Sequence, residues 1–220
     1  MAGRKNFVAG EILTAADVNS FLMDQSVMVF DDSAARTTAI PTPTEGMVTY
    51  RKDDSRLEVF DGSAFGPVGT ILQVVSTTLS SAFTTASTTY TDLTGLSASI
   101  TPSATNSKVL VFYSVFLGQE SGAFTHLRLM RDSTAIGIGD VAGDRDRTTI
   151  SSWTGGDNRF TTVSAGNFLD SPETTSAVTY KFQTRTVSSG LVYVNRNSRN
   201  NDSPSEARGI STITLMEVAG

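Results

Sequence analysis

His126 is the only imidazole in the chain, so acid–base chemistry near neutral pH has one candidate side chain. In the string FTHLRLMR, strand alternation puts His126 on one face with Phe124, Arg128 and Met130. A hydrolase triad would need a serine and an acid to converge there, and no G-x-S-x-G elbow occurs. The other reading of His126 is an ordinary strand or interface histidine. Asp140, Asp144 and Asp146 cluster in GDVAGDRDR and supply oxygen ligands of the kind Ca²⁺ takes, but the EF-hand order is absent. Arg145 and Arg147 can neutralise these carboxylates directly, which makes a solvated, ion-paired loop the competing reading. The segment WTGGDNRF holds the only tryptophan. Trp153 with Asp157, Asn158 and Arg159 forms a candidate glycan-binding set, an aromatic face for stacking beside planar groups for bidentate hydrogen bonds. The same residues also read as a core strand residue followed by a polar turn. The loop NRNSRNND, residues 195–202, reads as a solvated hairpin tip or as the rim of a binding surface.

Composition removes much of the remaining chemistry. With no cysteine there are no disulfides, thiolate metal sites or cysteine nucleophiles, and one histidine cannot supply a two-imidazole site. No cofactor or metal is expected. No pair of carboxylates stands out at a glycosidase separation, and the Ser/Thr runs contain no Gly-rich loop with a lysine to cradle phosphate. A net charge of −5 argues against nucleic acid as partner, because gripping its backbone needs a basic face. The opening MAGRKNFVAGEIL lacks the apolar run of a signal peptide, and the longest apolar runs, 27–30 and 109–113, are far too short to insert in a membrane. The 220 residues, only 18% of them charged, include 31 Thr and 27 Ser, a bias toward strands and turns.

The elements that must carry these residues divide into three stretches. Residues 1–45 hold an N-terminal anchoring helix and a linker. The helix is expected from Thr14 to about Gln25, with Thr14 as N-cap, Asp17 near its positive end, Leu13 stapling onto Val18, and Phe21 and Leu22 on or beside its narrow apolar stripe. Residues 31–40 are Ala-rich enough for a helical turn, which Pro41 and Pro43 end. Residues 46–69 read as a small β-hairpin, marginal in water by itself. From 70 to 220 short strands recur at 71–77, 88–93, 97–101, 108–117, 124–131, 147–153, 160–163, 177–186, 191–195 and 211–218, which predicts an antiparallel β-sandwich of jelly-roll type. Alternation turns Tyr180, Phe182 and Thr184 to one face, and Ile213 and Leu215 with Glu217 likewise. The stretch 108–117 is apolar on both faces, as suits a central strand or a subunit interface.

Two N-terminal segments, AGEILTAADVNSFLMDQSVMVFDDSAARTTAI and PTEGMVTYRKDDSRLEVFDGSAF, resemble the start of minor tail or tail fibre proteins of tailed bacteriophages, notably those of actinobacteria. Gly10, Leu13, Thr14, Ala15, Asp17, Val18 and Asn19 precede a Gly-Met-Val-x-Tyr strand, 45–50 and 57–62 fill the paired-strand pattern, and Phe65 stands where a Trp is common. LTGLSASITPSATNSKVLV, LDSPETTSAVTYKFQ and STITLMEVAG are similar to the β-rich distal domains of the same proteins. The resemblance implies a homotrimeric virion appendage that is not an enzyme. Leu13, Thr14, Val18, Phe21 and Leu22 would anchor it to other virion proteins, and the β-domain would face a glycan or protein receptor on the host surface, with the tail favoured over the capsid as its place. The alternative is a capsid decoration or head fibre protein. A depolymerase would be expected to carry β-helical repeats or an evident acid pair, and neither is seen.

Overall fold

The computed structural model describes residues 8–18, 26–69, 71–120, 123–153, 158–187 and 190–220. The chain divides into two compact units, Met1–Thr70 and Ile71–Gly220.

In the first unit Thr14 caps α1 (Ala15–Val18) as its residue type predicts. Its Oγ1 accepts from Asp17 N at 3.1 Å, and Asp17 Oδ2 accepts from Thr14 N and Oγ1 at 3.2 and 2.7 Å. The expected continuation to about residue 25, including Phe21 and Leu22, lies outside the described residues. The stretch read as a linker holds the helical turn expected over 31–40 and one short strand besides. β1 (Met28–Phe30) leads into α2 (Ser33–Ala39), capped by Asp32 through Ala35 N at 2.7 Å, and the chain returns as β2 (Val48–Arg51) parallel to β1. β3 (Arg56–Phe60) and β4 (Phe65–Pro67) complete a sheet in the order β1-β2-β3-β4, so the hairpin is the middle of a four-stranded sheet. Its interior is small: among the described residues only Met47, Thr49 and Glu58 are buried. Glu58 is held between Arg36 and Arg51, the latter at 3.2 Å, and Arg36 also lies 4.2 Å over the Phe65 ring. A buried ion pair of this kind orients more than it stabilises.

The second unit is the antiparallel β-sandwich. Its strands are β5 (Ile71–Leu79), β6 (Phe83–Thr85), β7 (Thr91–Ile100), β8 (Lys108–Gln119), β9 (Phe124–Arg131), β10 (Thr134–Ile136), β11 (Ile150–Trp153), β12 (Thr161–Asp170), β13 (Val178–Thr186), β14 (Val192–Val194) and β15 (Ser211–Val218). One sheet runs β10-β9-β13-β7 with β11 also on β9, and the other runs β5-β15-β8-β14-β6 with β12 also on β8. The chain crosses repeatedly between the two, as in a jelly roll. Between them lies a hydrophobic core to which β8 gives Val109, Val111, Val115 and Leu117, and β13 gives Tyr180 and Phe182. Phe182 meets Tyr113 edge-on at 5.0 Å.

β8 is central, as its two-sided apolarity predicts. One edge pairs with β12 along ten residues, and the other is shared by β15 at 108–114 and β14 at 117–119. Asn195 closes the gap between those two. It is buried in a left-handed conformation (φ 63°) that asparagine tolerates better than most residues. Its backbone N donates to Phe116 O at 2.9 Å, its amide donates to Leu79 O and Ser81 O at 2.8 and 2.9 Å, and its Oδ1 accepts from Ser211 Oγ at 2.7 Å.

Two expected strands, 88–93 and 97–101, are one strand with a bulge. In β7 both Leu93 and Leu96 point inward, and the register against β13 slips between Lys181 and Gln183. Gly95 permits this at φ 91°, and a Cβ there would meet Leu79 Cδ1 at 2.8 Å. β12 is also far longer than the expected 160–163. Its Gly166 makes room for the Tyr113 ring, whose hydroxyl would lie 2.7 Å from an added Cβ.

Two carboxylates enter this interior fully bonded. Asp170 accepts from Tyr180 Oη at 2.6 Å and from Arg131 at 3.0–3.1 Å, and burial, then this bond, push the Tyr180 phenol upward. Glu217 accepts from Ser103 N and Oγ and from Gln73 Nε2, each at 2.6 Å. Burial alone would raise its pKa, but those hydrogen bonds together outweigh it and hold the carboxyl below its ordinary 4.5. Because the folded value is depressed, Glu217 contributes stability in full above pH 4.5 and loses it as the pH falls through the lowered value. Glu217→Gln is therefore expected to cost about 2 kcal/mol at pH 7, with the difference from the native chain shrinking below about pH 4, as measured by urea unfolding across pH. Gly95→Ala is expected to cost at least about 2 kcal/mol in the same assay, since it combines positive-φ strain with a contact onto Leu79.

Candidate functional site

The outer face of the β9–β13–β7 sheet carries a continuous charged and polar network. His126 Nδ1 lies 2.7 Å from Asp146 Oδ2, and the same oxygen accepts from Tyr90 Oη at 3.0 Å and pairs with Arg185 Nε at 2.8 Å. Arg128 lies 4.1 Å over the Tyr90 ring and donates to Gln183 Oε1, while Gln183 and Lys181 both donate to Asp92. Burial would raise the Asp146 carboxyl, but the His126 and Tyr90 hydrogen bonds and the Arg185 charge together hold it below the usual range. Tyr90 is pushed up to about 12, by burial first and then by its bond to Asp146. Ser151 stands opposite His126 in the β9–β11 ladder without a hydrogen bond to it. The histidine is thus a member of a structural network. Asp146 turns into that network, and Arg147 donates its Nε–H to Gly139 O at 2.6 Å. Among the described residues no three His, Cys, Asp or Glu side chains form a metal-holding group.

Trp153 is 57% exposed on β11 and stacks on its cross-strand partner Phe124, with ring centroids 6.0 Å apart and planes 19° from parallel. Of its two sequence readings, the core one fails. Asp157 lies outside the described residues. Asn158 and Arg159 are exposed, and the Asn158 carbonyl accepts from Ser198 Oγ at 3.0 Å, which brings this loop against the 195–202 loop. That second loop is more than a solvated tip. Asn197 donates to Glu206 and accepts from Asn200 N at 3.1 Å, Arg208 donates to Asn200 at 2.6 Å, and these residues line a polar pocket of about 300 Å³.

The opposite surface, the outer face of β5–β15–β8–β12, has another character. The register sets Val74, Met216, Leu110 and Leu169 in one row across four strands, and Ser76, Thr214, Phe112 and Asn167 in the next. Thr78, Thr212, Ser114 and Ala165 follow, and then Phe116 beside Val163. None of these residues is charged. Val74, Phe112, Val163 and Leu169 are all exposed, and the Ser76 and Thr214 hydroxyls bond to each other at 2.8 Å. β12 pairs with β8 alone among the described strands, and 161–169 contains no Lys or Pro to guard its other edge. The two-sided apolarity of 108–117 pointed toward this surface, but the rows depend on register and are invisible in any one segment.

In the first unit Leu13 and Thr14 are exposed, and Val18 is half-buried at the end of α1.

No protein-family model matches the chain, and no curated protein sequence matches it. Among solved structures it is similar to a mutant VP2 protein of infectious bursal disease virus in T=1 particles, at 15% identity and TM-score 0.35 over 74% of this chain and 42% of that one. It is likewise similar to the VP2 subviral particle protein of the same virus, at 15% identity and TM-score 0.34 over 73% of this chain and 41% of that one. The chain thus spans about two fifths of the proteins it matches. These are VP2 proteins of virus particles and not bacteriophage tail proteins, and the expectation of a bacteriophage minor tail or tail fibre protein, with its preference for the tail, is corrected. The motifs behind it, a capped helix start, a strand pair and stretches of β-domain strand, are local folding devices.

Because Trp153 packs on one ring and faces solvent, Trp153→Ala is expected to cost about 1 kcal/mol. Truncating the buried ring in Phe182→Ala is expected to cost about 3–5 kcal/mol. Urea unfolding of the two variants checks the contrast, and equal losses would mean that Trp153 is covered.

Proposed function

We infer that this chain is a structural protein of a virus particle and that it sits at the capsid, as a decoration protein, held by non-covalent contacts to other particle proteins. The observation that carries the reading is the set of uncharged, partly apolar rows from Val74 to Val163 on the outer face of β5–β15–β8–β12, with Lys108 at their margin and an unguarded edge strand beside them. Surfaces of this kind on a folded domain are made to be covered by protein. The charged groups of the opposite sheet are engaged with one another, which suits a domain that presents a stable exterior. In the first unit, the exposed Leu13 and Thr14, with Val18, are proposed as the particle-anchoring contact.

One observation favours a second role in host contact. The exposed Trp153–Phe124 pair offers a flat aromatic platform of the kind a sugar ring stacks on, and Asn158 and Arg159, a few residues along the chain, are exposed as well. A host-surface glycan is the ligand class that fits, with Asp157 completing the proposed set.

The location is tested by tagging the chain and reconstructing whole particles by cryo-EM. Tag density over the capsid faces is the expected result. Density confined to another part of the particle, or its absence from purified particles, would overturn the reading.

A further inference from the structure

We propose that the partner covering the outer face of β5–β15–β8–β12 is a second copy of this chain, packed face to face about the β8–β12 half of the sheet. This rests on the assembly reading above and goes beyond it in naming both the surface and its occupant. The chain carries a net charge of −5, so two copies repel over most orientations. The rows Val74–Met216–Leu110–Leu169 and Ser76–Thr214–Phe112–Asn167 carry no charged side chain, and a copy can pack on them while Lys108, exposed one row beyond Leu110, stays solvated at the rim. A different partner of an acidic protein would be expected to meet it through basic groups and to find acidic ones opposite, and this face has none to offer. The outer face of the other sheet, with Asp92, Lys181, Arg185, Asp146 and His126, is the contrast: two copies meeting there would have to desolvate an ion-pair network.

The polar groups of the neutral face lower the cost of covering it. The Ser76 and Thr214 hydroxyls are already bonded to each other, so closing the interface leaves that pair satisfied. The size also fits. Four strands about 4.8 Å apart and about seven residues at 3.3 Å each project to roughly 450 Å². Side-chain relief raises that toward the ~800 Å² per partner of a standard stable interface. Phe112 on β8 and Val163 on β12 both lie within the proposed contact and both are exposed.

Sedimentation of the full chain over a concentration series tests this. The native chain is expected to exceed the 23.4 kDa monomer at tens of micromolar, on the order of ordinary protein–protein affinities. Phe112→Lys and Val163→Lys are each expected to weaken association by at least about 100-fold, because each buries an unpaired charge in the contact. Ser99→Lys, an exposed position on the other sheet, is expected to leave association unchanged. Circular dichroism and thermal melting report the folding of each variant. Should Phe112→Lys not fold, Val163→Lys decides the matter, since that side chain is 57% exposed. A native chain that stays monomeric to about 100 µM overturns the proposal, as does association that both folded lysine variants leave intact. If the monomeric chain is nevertheless found on capsid faces, the homotypic contact fails while the capsid reading stands.

Discussion

The sandwich depends on how the two short partners of β8 are joined end to end. β15 and β14 share one edge of β8, and two strands meeting there would leave the backbone at Phe116 without partners at the centre of a sheet, a costly place for unpaired groups. Asn195 and Ser211 fill the gap. Phe116 O receives the Asn195 backbone N–H, Phe116 N donates to Ser211 Oγ, and that hydroxyl donates in turn to Asn195 Oδ1. The Asn195 amide reaches the carbonyls of Leu79 and Ser81, where β5 ends, so four segments far apart in sequence converge on one side chain. Only a short planar amide that tolerates positive φ can do all of this, and the loop 196–208 leaves from this point with its own bonded interior.

With that stitch β8 is bonded along both edges, its ladder with β12 running for ten residues, and the outer surface is of two kinds. On the inner side, Asp170 and Glu217 are satisfied by hydrogen bonds in a largely apolar setting. On the outside of the β9–β13–β7 sheet, each carboxylate answers a cation or an amide. On the outside of the β5–β15–β8–β12 sheet the rows from Val74 to Val163 have no charge to answer, with Lys108 at their margin, and their surface energy is lowered by covering them. The N-terminal unit is balanced differently, with a buried Glu58 held by Arg36 and Arg51 where a larger domain would have an apolar centre.

What was legible in the sequence follows the range of the interactions involved. Alternation in STITLMEV places Ile213, Leu215 and Glu217 inward because period two is a local property of an extended chain, and the Thr14–Asp17 cap is equally local. The single strand β7 was read as two because LTGL breaks the period, and the bulge that restores it needs Gly95 seated against Leu79, a contact across the sandwich. β12 was read only at its first residues because SAGN has weak strand preference; its ladder with β8 supplies what propensity does not. The parallel pairing of β1 with β2 through α2 is a tertiary fact that no window over 31–40 contains. Of the candidate sites, Trp153 left two readings open until its exposure was known, and His126 was open for the same reason: burial and partners come from strands 20 to 60 residues away.

The misplaced expectation of a tail protein has the same physical root. The segments that resembled tail proteins are a capped helix start, a strand pair and strands of the β-domain, and these specify how a chain folds locally whatever it is attached to. Where a structural protein sits is decided by its exterior, and here the exterior is assembled by register. Val74, Leu110, Leu169 and Met216 belong to four segments that share no motif, yet they form one row because β15 aligns β5 and β8, and β8 aligns β12. A one-residue slip in any of those ladders would turn part of the row inward and break the neutral face. The same pairings that bury the core therefore also determine which surface is left for assembly, and the two cannot be varied independently.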